Sequence, residues 1–437
     1  MRLGWIFIGT MLFGTLLSAQ GTSPHQWQLE EYYRADFSRE RDYDKAFRIT
    51  NQGKRNSAQK CTMQRQVYGF HPAWRGTAYE NYDFGLLFAI AYFGAEIDPA
   101  GGFRTTHLWR ETRLVELAHG RGSRVDLTVY SYDPAANRRF LADETARAAT
   151  IDSLVALLKA QDGDGVCLDM QGIAADNADQ FSSFIRQMAL ALAREKSYWQ
   201  LSVVLPSDAA ALPLDFPALA PFVDRYLMMG YDQRGPRAPL AGPNLPLRAG
   251  APWGERSVER ALDRYLSRGI PKEKLLLGIP YFGYQWSTES KEVGARTLAS
   301  ARTLPYQEIS RLARLHPPQL DTASGNSYLA WTEGATAQQV WGPTIQSLPR
   351  KYQMVKKKGI AGVAIWALGY DHGEDALWGL IRDYFADCDA MATQRDNERR
   401  KVLDGPTSAE RNRNNWIWIV VGMIGLIGFI IFARRLK

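Results

Sequence analysis

Cysteine is scarce in this chain, three residues in 437, and histidine numbers only six. Cys167 has no histidine near it in sequence, so the paired thiol and base of a cysteine nucleophile are missing, and a lone cysteine of this kind reads as a packing residue. His71 and His372 fall near strand ends without the spacing of a metal-ligand set, so neither a metal nor a cofactor is expected. A dense basic patch interleaved with aromatics is lacking too. Of the formal charge of +7, four charges belong to Arg2, Arg434, Arg435 and Lys437, and the +3 left on the rest offers no footprint for nucleic acid.

Long hydrophobic runs are confined to the two ends. Residues 1–20 combine a basic start at Arg2, an apolar run over 3–17 and the small-residue close Ser18-Ala19-Gln20. That layout reads as an export signal, with a buried N-terminal helix as the alternative. Residues 416–433 are apolar and free of charge, with Trp416 and Trp418 at one edge and Arg434, Arg435 and Lys437 just beyond the other. This predicts a transmembrane helix with a cytoplasmic tail, 434–437. The expected location is therefore a cell membrane, crossed once, with the bulk of the chain extracytoplasmic, which means periplasmic in a bacterium.

Between the ends the content is 46% hydrophobic and 12% aromatic, enough for one large core. Eight short apolar strands are expected, at 67–74, 86–93, 125–132, 165–171, 201–205, 226–231, 275–280 and 362–368. Amphipathic helices alternate with them; Ile151, Leu154, Val155 and Leu158 recur at one-face spacing, and Phe184, Met188, Leu190 and Leu192 do so after the fourth strand. Strict alternation implies parallel pairing, and eight units imply a closed (β/α)8 TIM barrel of the α/β class. It would occupy 66–388, with a small α+β insertion between strands 7 and 8 over about 287–341. A polar N-terminal extension, 21–65, precedes it and a charged linker, 389–415, follows. Cys61, before the first strand, and Cys388, after the last helix, would meet on the bottom face of such a barrel. A disulfide is expected there, two unpaired buried thiols being the alternative.

Barrel chemistry sits at the C-terminal ends of strands. Along the fourth strand, in "DGVCLDMQG" (164–172), the period of two sends Gly165, Cys167, Asp169 and Gln171 to the interior and Val166, Leu168 and Met170 to the helices. Asp169 inside a core demands hydrogen bonds, so a structural or ligand role is expected of it. Trp366, in the C-terminal half of the eighth strand, reads as a platform in the barrel mouth rather than ordinary core.

The stretch resembles the signature of family 18 glycoside hydrolases, the chitinase family, whose pattern is Asp-Gly-x-Asp-x-Asp-x-Glu. Asp164, Gly165 and Asp169 match; Cys167 stands for the middle Asp and Gln171 for the Glu. "VYGFHPAW", "YFGAEIDPAGG", "MMGYDQRG", "KLLLGIPYFGYQW" and "GIAGVAIWALGYDHG" resemble the family's first, second, sixth, seventh and eighth strands, so the resemblance covers roughly 66–385. It implies substrate-assisted cleavage of N-acetylhexosamine glycans, in which the sugar's own acetamido oxygen attacks the anomeric carbon. By position Asp169 and Tyr231 would orient the acetamide, Asp232 would hydrogen-bond the sugar, Trp366 would stack beneath it, and Met229 and Tyr281 would line the site.

Gln171 keeps the shape of the family's acid and cannot donate its proton, and losing a general acid removes about 10²–10⁴ in rate. The implied function is a membrane-anchored barrel that binds peptidoglycan-like or chitin-like glycans with hydrolysis lost or strongly reduced. Two alternatives stand beside it: a residual glycosidase drawing its proton from Asp232 or Asp133, and a scaffold for protein contacts.

Overall fold

Leucine- and valine-rich runs bounded by glycine or polar turns become the staves of a closed barrel in a computed structural model that describes residues 23–32, 37–50, 61–231 and 233–388. The staves are β1 (Gln66–Pro72), β2 (Ala89–Ile97), β3 (Arg124–Ser131), β4 (Gly165–Met170), β5 (Gln200–Leu205), β6 (Arg225–Met228), β7 (Leu275–Pro280) and β8 (Gly362–Trp366). Each pairs in parallel with the next, and β8 closes the ring on β1. Both faces of every stave are covered, which is why these strands read as near-continuous apolar runs.

The expected strands are all present with shifted edges. The second begins three residues late because Phe84–Leu86 forms a 3₁₀ turn, and the sixth stops at Met228, before the site residues. Of the predicted helix faces, Leu190 is the exception: it points to solvent at 47% exposure. The insertion between β7 and β8 is a five-stranded antiparallel sheet running from Phe282 to Trp341, with the helix Tyr306–Leu315 within it. Its turn at 322–325 joins the strands Gln319–Asp321 and Asn326–Glu333.

The N-terminal extension differs from its polar reading. It contributes two helices, α1 (Pro24–Tyr32) and α2 (Glu40–Ala46), both packed on the barrel. Asp44 of α2 accepts from the Thr77 N–H and hydroxyl at 2.8 and 2.7 Å, Glu40 accepts from the Tyr79 hydroxyl at 2.7 Å, and Tyr43 is fully buried. Three aromatic anchors, Tyr32, Tyr43 and Phe47, let a charged segment hold a fixed place.

The single-pass membrane placement is corrected: among the described residues no helix is long and apolar enough to cross a membrane. The two 18-residue helices, Glu144–Gln161 and Ala178–Glu195, both carry charges along their length. The predicted span at 416–433 lies outside the described residues, as do the signal at 1–20, the linker at 389–415 and the tail at 434–437.

Cys61 and Cys388 are joined by a disulfide that staples the antiparallel pair Cys61–Met63 and Ala386–Cys388. It brings together residues 327 apart, so breaking it frees a very long loop in the unfolded chain. Reduction, or Cys61→Ser, should remove roughly 2–4 kcal/mol of stability. The check is the denaturant midpoint with and without reductant, and identical midpoints would contradict it.

Inside the barrel, Tyr68, Asp126, Cys167 and Ser202 meet below the mouth. The Tyr68 hydroxyl donates to Asp126 at 2.7 Å, yet burial pushes the Asp126 carboxyl up to about 6. A raised carboxyl contributes stability that is complete below its unfolded value, near 4, and lost as pH climbs through 6. Relative to Asp126→Asn, the wild type should therefore weaken by on the order of 2 kcal/mol between pH 4 and 7. Paired melting curves across that range test this, and a pH-independent difference would refute it.

Candidate functional site

The alternation expected along β4 holds, and it delivers Asp169 to the barrel mouth with no exposed surface. A buried carboxylate requires donors. Asp169 has three: Gln171 Nε2 reaches Oδ1 at 2.8 Å, while the Tyr132 hydroxyl and His25 Nδ1 both reach Oδ2 at 2.6 Å. Burial, and then Asp169 itself, drives the Tyr132 phenol well above its ordinary value, so it remains a donor.

Tyr231, just beyond β6, is buried with its hydroxyl 2.7 Å from His25 Nε2. Because a carboxylate only accepts, Nδ1 of His25 is the donor toward Asp169, which leaves Nε2 paired with the Tyr231 hydroxyl. Trp366, the last residue of β8, forms the floor: its indole lies 3.6 Å, centroid to centroid, from the His25 ring at an interplanar angle of 18°. Phe70 and Phe93 pack against the indole at 5.2 and 5.1 Å. Asp169, Tyr231 and Trp366 thus converge on one point, and His25 occupies it.

Helix α1 lies across this mouth on the face carrying His25, Gln28 and Tyr32, spaced by three and four. Gln28 Oε1 accepts from Trp366 Nε1 at 2.9 Å and from the Tyr370 hydroxyl at 2.7 Å. Tyr32 stacks on Trp74 at 5.8 Å. Met229, buried below, lies 3.9 Å from the Ser23 hydroxyl, which donates to its sulfur.

Gln171 is fixed as an amide should be. Its Nε2 is committed to Asp169, and its backbone carbonyl accepts from Asn137 Nδ2 at 2.7 Å. Asp133 spends its carboxylate elsewhere, capping the helix Pro134–Ala142 through the N–H groups of Ala135 and Ala136.

Other expected residues lie apart from this cluster. Asp164 and Gly165 are at the opposite end of β4. Asp164 accepts from His119 and from the Val125 N–H, both at 2.7 Å, and a Cβ on Gly165 would stand 2.2 Å from the Gln200 carbonyl oxygen. They seat the strand between its neighbours. Cys167 is buried one layer beneath Asp169, its thiol pushed up by burial, a packing position with no reactive character. Tyr281, just past β7, is buried with its ring centroid 6.4 Å from that of Tyr306. Asp232 lies outside the described residues. His71 bonds the Tyr82 hydroxyl at 2.8 Å, and burial lowers it to about 3.

Sequence reasoning missed His25, Gln28, Tyr132 and Tyr370. Tyr132 and Tyr370 sit just past strand ends, where position alone would have nominated them. For α1 the available signal was aromatic: Trp27, Tyr32 and Tyr33 stand in an otherwise polar stretch.

Comparison with known proteins bears on this arrangement. An uncharacterized glycosylase, YvbX of Bacillus subtilis, is 22% identical over 58% of this chain and 71% of its own. Among solved structures, a GH18 chitinase from Cycas revoluta, a double mutant that includes a glutamate-to-glutamine change, in complex with (GlcNAc)4, superposes with a TM-score of 0.65 at 20% identity. That match covers 73% of this chain and 99% of the other. The chitinase-like agglutinin RobpsCRA from Robinia pseudoacacia gives 0.63 at 20% identity, over 72% and 98%. The chain spans between 42% and 71% of the length of the first curated relatives it matches. The family glycosyl hydrolases family 18 matches this chain over residues 132–371. Matched over more than half its length, from the end of β3 through β8, the chain belongs to glycosyl hydrolases family 18.

Proposed function

We propose that this protein is a chitinase-like barrel that binds N-acetylhexosamine glycans, of the chitin or peptidoglycan class, and no longer cleaves them. The observation that carries the reading is the Gln171–Asp169 hydrogen bond. At the position where the family keeps its acid, an amide donates 2.8 Å to the orienting carboxylate, so recognition groups persist and the transferable proton is gone. A carboxylate, two phenols and an indole floor supply stacking and hydrogen bonds, which need no acid.

Two relatives lend support. A glutamate-to-glutamine chitinase mutant was crystallised in complex with (GlcNAc)4, and another neighbour is described as an agglutinin. The displaced-acid alternative loses ground because Asp133 is committed as a helix cap. The Cys61–Cys388 disulfide suits an oxidising compartment, where such glycans are found.

The test uses chitotetraose and the full chain carrying His25→Ala and Gln28→Ala, which clears the floor. Saturable binding is expected, weakened at least tenfold by Asp169→Asn or Trp366→Ala, with no turnover. Adding Gln171→Glu places two carboxyl groups within hydrogen-bond reach, where they share one proton, and should restore hydrolysis by about 10² or more. Turnover without that change would sink the loss of catalysis; absence of binding would sink the glycan reading.

A further inference from the structure

We infer that the segment Ser23–Tyr32 is an intramolecular ligand of the barrel mouth, seated where the glycan would bind and competing with it. This rests on the glycan-binding reading above.

An acetamido group offers one N–H donor, one acceptor and a flat face. The His25 ring occupies the same three contacts: Nδ1 on Asp169 at 2.6 Å, Nε2 on the Tyr231 hydroxyl at 2.7 Å, and its face on Trp366 at 3.6 Å. Gln28 adds a second amide and takes up the donors of Trp366 and Tyr370, which a sugar's oxygens could equally satisfy. With the imidazole in place, Asp169, Tyr231 and the indole face are all engaged by one ring.

The helix is delivered as a tethered guest. Only four residues, 33–36, separate Tyr32 from Phe37, and α2 is pinned immediately afterwards by Asp44 and Glu40. A short tether of this kind holds its ligand at an effective concentration in the millimolar range. Gly235 accommodates it, since a Cβ there would fall 1.6 Å from the Trp27 ring. The fit is incomplete, however: Gln28 Nε2 and Trp27 Nε1 are buried without hydrogen-bond partners among the described residues. Unmet donors leave the helix open to displacement by a ligand that satisfies the site better. A glycan would then bind with an apparent affinity reduced by the fraction of molecules whose mouth is vacant.

The test compares chitotetraose affinity of the wild-type full chain with His25→Ala/Gln28→Ala, alongside hydrogen exchange over Pro24–Tyr32. The proposal expects at least tenfold tighter binding by the double variant, an intermediate gain for Gln28→Ala alone, and faster exchange of α1 in the wild type when glycan is added. Equal affinities would overturn the competition while leaving the glycan reading intact. If neither protein binds, the glycan reading fails and exchange decides for the segment. Protection of α1 in the wild type that is lost in the double variant supports a resident ligand, and free exchange in the wild type overturns it.

Discussion

A carboxylate with no exposed surface survives only where donors converge on it, and the mouth of this barrel is organised around that requirement at Asp169. Strand β4 brings it there, the chain turning after β3 supplies Tyr132, and Gln171 follows two residues later, just past the end of β4. The third donor comes from 144 residues away, on α1. Removing any one of them would leave a charge short of partners in a low-dielectric setting, so strand register, the loop after β3 and the N-terminal helix are tied to a single side chain.

The same constraint suits an amide at position 171. The Gln171 amide donates to Asp169 where a second carboxyl would compete with it for a proton, so the pair stands without like-charge repulsion. Together with the indole floor at Trp366, this leaves a surface suited to flat, uncharged amides.

Much of this was legible in the residues. The alternation of apolar strands and helices marked all eight staves, the period of two along "DGVCLDMQG" placed Asp169 and Cys167 inside, and the positions of Cys61 and Cys388 on either side of the barrel anticipated their bond. Strand edges were blurred where a 3₁₀ turn or a site loop replaced the last residues of a run, since neither breaks the apolar pattern. His25 was invisible for a deeper reason. Its partners, Asp169, Tyr231 and Trp366, lie 144 residues or more away, and a polar nine-residue helix without a strong apolar face carries no local sign that it will be buried.

One consequence follows from His25 resting on Trp366. An internal occupant places the same packing demands on Asp169, Tyr231 and Trp366 as an external sugar would, so selection for either preserves the same three residues. Invariance of this site among close orthologues would then be no proof that a glycan is bound. The informative pattern is covariation: lineages that keep the site but exchange positions 25 and 28 would be those in which the barrel serves a partner other than its own N-terminal helix.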